Sequence, residues 1–242
     1  THVGEVDDKQ FKGAISPLFM STSYAYEDVE VKRYPRYFNT PNQEALCKKI
    51  ARLEKSEDAL IFGSGMAAVS TTMLAFLHKG DHVVLPQTLY GGTFNFVVEE
   101  FHKFGIEYCF AEGFSEADFS AQMQPNTKVI FVESPSNPLM RVTDLEMISK
   151  LAKHHGLVSM IDNTFASPVN QTPADFGIDI MIHSATKYMG GHSDICAGAV
   201  AASESHIKTI WNLAKNLGGS LSDYNGWLLE RCMKTIDRKR VG

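Results

Sequence analysis

Short, continuously apolar runs alternate with longer amphipathic stretches along most of this chain. Ala59 to Phe62, His82 to Leu85, Ile106 to Phe110, Val129 to Glu133, Leu157 to Ile161 and Ile178 to His183 are rich in Val, Ile, Leu or Phe and predict strands. Between them, Met66 to Leu77, Phe94 to Phe104 and Leu145 to His154 predict helices. Strand followed by helix, repeated, is the signature of an α/β fold with a mostly parallel sheet between helices. Val129-Ile130-Phe131-Val132 runs apolar without alternation, as a strand covered on both faces does. Ligands of such sheets sit beyond the carboxyl ends of the strands.

The first forty residues break this rhythm. Gly13, Pro17, Pro35 and Pro41 interrupt any period, and aromatic residues are frequent, so residues 1–40 read as an irregular arm suited to reaching a partner. From Glu44 to Leu53, apolar residues at Leu46, Ile50 and Leu53 restore helical spacing, and residues 41–242 read as one domain. The last segment, Leu221 to Lys239, predicts a helix running into the basic Arg238-Lys239-Arg240.

Composition narrows the function classes. Acidic residues outnumber basic ones 28 to 23, so no basic field invites nucleic acid or an anionic membrane surface. A hydrophobic content of 44% supports a full core, and the longest apolar runs fall well short of the ~20 residues a membrane span requires. The polar start, Thr1 to Asp8, has neither the basic nor the apolar region of a signal peptide, which points to the cytoplasm. Cys47, Cys109, Cys196 and Cys232 are scattered among apolar neighbours and read as buried thiols rather than disulfides or zinc ligands. His154 and His155 are adjacent and cannot share a helical face, and His192 has no partner at metal-binding spacing, so no metal is expected. A small molecule is the expected partner.

The chemistry concentrates near Lys187, in Ser184-Ala185-Thr186-Lys187-Tyr188, which follows a predicted strand and lies twenty-five residues beyond Asp162. A cofactor such as pyridoxal 5′-phosphate (PLP) needs an amine for its aldehyde, an acid to keep its pyridine nitrogen protonated and donors for its phosphate. Lys187 supplies the amine. Asp162, at the end of a predicted strand, supplies the acid, although Asp also commonly caps helices. Ser184 and Thr186 offer hydroxyls to one anion. Gly65 and Met66, at a turn leading into a predicted helix, offer backbone N–H groups.

Tyr90, in Tyr90-Gly91-Gly92-Thr93, follows another strand and can stack on a flat ring while its hydroxyl serves proton transfer, or pack as an ordinary loop tyrosine. Asn137, within Glu133-Ser134-Pro135-Ser136-Asn137-Pro138, can donate to a phenolic oxygen, or simply serve the turn. A rival pattern is Gly63-x-Gly65-x-x-Ala68 with Asp81 as a ribose ligand, a variant of the dinucleotide fingerprint. It leaves Lys187 unexplained, and about sixty residues precede a turn that normally opens such folds.

Tyr34-Pro35-Arg36, Ser64-Gly65-Met66-Ala67, Leu89-Tyr90-Gly91-Gly92-Thr93, Glu133-Ser134-Pro135-Ser136-Asn137-Pro138, Asp162-Asn163-Thr164-Phe165 and Ser184-Ala185-Thr186-Lys187 together resemble the Cys/Met metabolism (trans-sulfuration) family of PLP enzymes. The resemblance runs from about Phe11 to Arg238. It implies an aminotransferase-like fold (PLP fold-type I) with Lys187 holding the cofactor, Asp162 pairing with the ring nitrogen and Tyr90 stacking on the ring. Gly65, Met66, Ser184 and Thr186 would grip the phosphate, and Tyr34 and Arg36 would complete that grip in a neighbouring subunit, within a homodimer or homotetramer.

The activity implied is that of a PLP-dependent carbon–sulfur lyase acting on a small sulfur amino acid, with cystathionine cleavage favoured. A γ-synthase or O-acylhomoserine sulfhydrylase, both transferases, is the alternative, as is a homologue that binds PLP without turnover. Two departures accompany the resemblance. Tyr37-Phe38-Asn39-Thr40-Pro41 replaces the Gly-Asn-Pro-Thr expected after the arginine, and the family's smaller C-terminal domain has no counterpart before Gly242.

Overall fold

The computed structural model describes residues 2–236. The expected helix beyond Ile236 and the basic run Arg238-Lys239-Arg240 lie outside the described residues. In chain order the elements are α1 (Pro41–Leu53), β1 (Asp58–Phe62), α2 (Gly65–Phe76), β2 (His82–Pro86), α3 (Gly91–Phe104), β3 (Glu107–Ala111), α4 (Glu116–Ser120), β4 (Thr127–Glu133), α5 (Leu145–His155), β5 (Val158–Asp162), α6 (Ser167–Asn170), β6 (Ile180–His183), β7 (Gly198–Ala202), α7 (Glu204–Leu217) and α8 (Asp223–Met233).

The strands form one seven-stranded sheet in the order β1-β7-β6-β5-β4-β2-β3. The β3-β2-β4-β5-β6 portion is parallel, and β7 runs antiparallel to both β6 and β1. Alternate residues of the same strands feed two cores. Val84, Ile130, Val132, Ile161 and Met181 pack with Leu46 and Ile50 of α1, Ile148 of α5 and Leu229 of α8. Val83, Leu85, Phe131, Met160 and Ile182 pack on the other face with Met73 of α2, Val97 and Phe101 of α3 and Ile210 of α7. Helices therefore cover both faces, which explains why the strands read as unbroken apolar runs. Full burial of each Leu, Ile or Phe contributes roughly 1.5–3 kcal/mol.

Helix starts are fixed by side chains. Thr40 accepts from the Gln43 N–H while the Gln43 side chain returns to the Thr40 N–H, a reciprocal cap that opens α1. Ser64 accepts from Ala67 N–H at 3.0 Å and opens α2.

The expected strands and helices are present among the described residues, with differences: the short helices α4 and α6 lie outside the expected elements, and α8 ends at Met233. Helix α3 begins at Gly91 rather than Phe94, so the Gly-Gly-Thr segment is helical. Strand β7 lies outside the expected elements because Gly198-Ala-Val-Ala-Ala has one β-branched residue, Val200, among glycine and alanines, and no aromatic residue. The small residues have a packing reason: a Cβ on Gly198 would lie 2.1 Å from the Ser64 carbonyl oxygen. Helix α7 carries Ile207, Ile210, Trp211 and Ala214 at helical spacing, a legible pattern beyond the elements expected. The arm, described from His2 to Tyr34, contains neither helix nor strand. It is pinned at Ser16, whose hydroxyl donates to Glu230 Oε1 at 2.9 Å and whose carbonyl accepts from the Trp227 indole at 2.8 Å.

Candidate active site

Strand β2 lies between β3 and β4, so the strand order reverses direction between β2 and β4. The loops leaving the carboxyl ends of β2 and β4 diverge there and open a crevice. A cavity of about 260 Å³ occupies it, walled by residues that follow β1, β2, β4, β5 and β6. Lys187, Asp162, Tyr90, Asn137, Ser184, Thr186, Gly65 and Met66 all line it. Segments separated by more than a hundred residues in sequence thus meet in one place.

Lys187 sits in the turn after β6, where its N–H donates to Ser184 O at 3.1 Å and its carbonyl accepts from Gly191 N–H at 2.7 Å. Its side chain also borders a second, more open cavity with Phe165, Tyr188, Ser193 and Asp194. His192 steadies this loop, with Nδ1 at 3.0 Å from Gly190 O and 3.3 Å from Cys232 Sγ.

Asp162 ends β5 and is buried. Its Oδ1 accepts from Thr164 N–H at 3.0 Å and from the Thr164 hydroxyl at 2.5 Å. The same Thr164 oxygen accepts from Ser184 N–H at 2.8 Å, tying the acid to the loop that carries Lys187. Burial pushes the Asp162 carboxyl above its ordinary range, opposed by the Thr164 bonds and by nearby His183. Behind it lies a buried polar layer: Glu54 contacts His183 Nε2 and accepts from Asn163 Nδ2 at 3.0 Å.

The start of α2 presses on the lysine loop. A Cβ on Gly65 would lie 2.7 Å from Ser184 Cβ, so only glycine permits this approach. Ser64, Gly65 and Met66 thereby bring the amino end of a twelve-residue helix to the cavity wall, a place that favours anions. The two hydroxyls expected to share an anion differ. Both residues line the cavity, but Thr186 Oγ1 also donates to Ala197 O at 3.1 Å and accepts from Ala197 N–H at 3.0 Å, bracing the loop against the segment entering β7.

Glu133 and Cys196 also line the cavity, beyond the site residues expected from sequence. Glu133 ends β4 in register with Asp162 on β5. Like Asp162, it is an acid closing an apolar strand, a signal present in the sequence, and it directly precedes the Pro-rich turn that carries Asn137. Cys196 is exposed toward the cavity, which corrects its reading as a buried thiol; Cys47 and Cys232 are buried and Cys109 is half-buried. Burial pushes the Cys47 thiol up, keeping it protonated.

Tyr34 and Arg36 lie outside this cavity. Arg36 Nη1 donates to Lys215 O at 2.5 Å, and its guanidinium lies 5.4 Å and 5.3 Å from the Tyr34 and Tyr37 ring centroids. Asp81 immediately precedes the first residue of β2, at the opposite end of the sheet, and accepts from His78 N–H at 2.8 Å. It cannot reach a ligand beside Gly65, so the dinucleotide pattern lacks its ribose partner. No described helix is long and apolar enough to cross a membrane.

The family model for the Cys/Met metabolism PLP-dependent enzymes matches residues 1–240. Cystathionine gamma-synthase/O-acetylhomoserine (thiol)-lyase of Bacillus subtilis (strain 168) is 37% identical over 237 residues, covering 97% of this chain and 63% of that protein. Cystathionine beta-lyase MetC of the same strain is 39% identical over 229 residues, covering 93% and 58%. The crystal structure of cystathionine gamma-lyase from Lactobacillus plantarum complexed with L-serine superposes with a TM-score of 0.91 at 36% identity, covering 97% of this chain and 62% of that one. The chain thus spans about three fifths of the length of these relatives.

Proposed function

This chain belongs to the Cys/Met metabolism family of PLP-dependent enzymes, with the aminotransferase-like PLP fold-type I architecture and PLP as its cofactor, and from that premise we propose that it is a carbon–sulfur lyase that cleaves cystathionine. The observation that carries the reading is the convergence in one cavity of an amine (Lys187), a buried acid (Asp162) and a helix amino end closed by Gly65 against Ser184.

The residues fit the cofactor. A Cβ at residue 65 would fill the gap through which the α2 backbone reaches the lysine loop, and the donor set there is one of backbone N–H groups and the Ser184 hydroxyl, suited to a phosphate. Lys187 would hold the aldehyde, Asp162 the pyridine nitrogen, Gly65, Met66 and Ser184 the phosphate, with Thr186 bracing the loop. Tyr90 would stack on the ring and Asn137 donate to its phenolic oxygen. When bound, PLP supplies an electron sink that lowers the barrier to removing a substrate Cα proton.

The chain's own residues do the rest. Lys187 Nζ acts as the base that takes the Cα proton and returns protons along the substrate. The Tyr90 phenol, at the mouth of the cavity, donates its proton to the departing thiolate sulfur. The wall formed by buried Asp162 and half-buried Thr164 and Ser184 limits water at the ring edge.

The arm belongs to the same proposal. Phe11, Met20 and Tyr26 are 79%, 65% and 69% exposed, and an apolar arm of this kind, residues 1–40, would cover a second copy and bring Tyr34 and Arg36 to that copy's phosphate site. The proposed assembly is a homodimer or homotetramer of the large domain, residues 41–242, in the cytoplasm. The names of the relatives favour one alternative, a γ-synthase or sulfhydrylase acting on an activated homoserine.

The test begins with reduction by borohydride and peptide mapping, which should fix PLP to Lys187, followed by assays with cystathionine and O-acylhomoserines against Lys187→Ala. Pyruvate or 2-oxobutyrate from cystathionine supports the lyase, and cystathionine formed from an O-acylhomoserine and cysteine supports the transferase. No PLP on Lys187, or no product above the Lys187→Ala background, sinks the proposal.

A further inference from the structure

Tyr90 and Asn137 sit on different loops, one after β2 and one after β4, yet a single side chain holds both. Glu133 Oε2 accepts from Tyr90 N–H at 2.8 Å, and Glu133 Oε1 accepts from Asn137 N–H at 2.7 Å. Glu133 is 5% exposed and sits directly beside Asp162 across β4 and β5. Tyr90 is the N-cap residue of α3 but its side chain caps nothing, so its phenol is free to face the cavity and its position depends on how its backbone is held.

We propose that Glu133 is the positioning residue of this site: one buried carboxylate sets the placement of both the ring-stacking Tyr90 and the Asn137 donor, while standing against the acid that pairs with the pyridine nitrogen. The inference rests on the PLP-site reading given above. Each bond is charge-assisted and short, and a carboxylate is the side chain that can accept from two backbone N–H groups at once without offering a donor of its own. Glutamine in the same place keeps one accepting oxygen and turns an NH₂ toward the other N–H.

The groups facing Glu133 are few. Asp162 approaches from β5, with His183 of β6 acting on Asp162 from behind. Tyr90 stands above it from the β2 loop and Asn137 from the turn that follows β4, while Lys187 and Cys196 line the same cavity. Burial, then the negative charge of Asp162, raises the Glu133 carboxyl to about 7, against the pull of its two N–H bonds. A positive pyridine ring against Asp162 would offset the negative charge beside Glu133, letting Glu133 ionise and tighten on both loops.

The experiment compares wild type with Glu133→Gln for PLP affinity of the apoprotein and for the visible circular dichroism of bound PLP, which reads ring orientation. Glu133→Gln is expected to weaken PLP about tenfold to a hundredfold and to cut the dichroism while leaving PLP attached to Lys187. In a Tyr90→Ala/Asn137→Ala background the same substitution should have little further effect, because the residues it positions are gone. Unchanged affinity and dichroism in Glu133→Gln, or an equal loss in both backgrounds, overturns the proposal and leaves the PLP reading standing. Failure of wild type to take up PLP overturns both.

If Glu133→Gln does not fold, hydrogen exchange on wild type decides. The Tyr90 and Asn137 amides share one buried acceptor, so both should be protected from exchange and should lose that protection together as denaturant loosens the site. Protection of one amide without the other, or of neither, overturns the proposal.

Discussion

Gly65→Ala tests the closeness of α2 to the lysine loop. The added Cβ would meet Ser184 Cβ at 2.7 Å, Ser184 Cα at 2.9 Å and Ser184 Oγ at 2.9 Å, where ordinary contacts begin at 3.4 Å. Two of these atoms are rigidly attached to the loop backbone, so a rotamer change does not relieve the clash, and the helix start must retreat by about 0.7 Å, the gap between ordinary and forced contact. Overpacking of this kind costs about 1–3 kcal/mol, while replacing glycine by alanine in a helix returns up to about 1 kcal/mol. Net stability should therefore fall by no more than about 3 kcal/mol.

Cofactor binding should suffer more. The N–H groups of Gly65 and Met66 retreat with the helix, and losing hydrogen bonds to a charged ligand costs about 1.5–3 kcal/mol, a ten- to hundredfold loss in affinity. Denaturant unfolding of the apoprotein and a PLP titration measure the two effects separately. A Gly65→Ala protein that is more stable and binds PLP within twofold of wild type would refute the argument that this contact builds the phosphate site.

Two further predictions follow from the carboxylates. Thr164→Val keeps the shape of the side chain but removes the donor to Asp162 and the acceptor for Ser184 N–H. It should cost about 1–3 kcal/mol in unfolding free energy and weaken PLP, and an unchanged unfolding midpoint would count against the Asp162–Thr164–Ser184 link. The pH prediction concerns the apoprotein. Glu133 rises from the ordinary 4.5 to about 7 on folding, so its contribution to stability is complete below 4.5 and is lost as pH climbs toward 7. The interval corresponds to about 3 kcal/mol. The stability difference between wild type and Glu133→Gln should therefore shift in favour of the variant between pH 5 and pH 8; a difference independent of pH would show that Glu133 does not titrate in this window.

The parts of this fold legible in sequence are those where one physical demand dominates. Strands β2, β4, β5 and β6 must be apolar on both faces, and that demand writes itself into consecutive residues such as Val129 to Val132. Strand β7 answers a different demand, close approach of Gly198 to Ser64, and is spelled mostly in glycine and alanine around the single Val200, a weak strand signal. The candidate site divides the same way. Asp162 and Lys187 were legible because each follows a recognisable strand at the crevice end. The surroundings of Thr186 are less legible: alternation along an extended strand sends Ser184 and Thr186 the same way, whereas the chain turns after Ser184, with Lys187 N–H donating to Ser184 O, and the Thr186 hydroxyl bonds to Ala197 while the residue still lines the cavity.

Glu133 shows the deeper limit. Its residue type and strand-end position were visible, but its importance comes from the register that sets it beside Asp162 and from the convergence of the β2 and β4 loops on its two oxygens. Strand order and register are properties of the whole sheet. They emerge only when helices on both faces fix which strands are neighbours, so the acid that links the site's two loops is the residue a one-dimensional reading passes over.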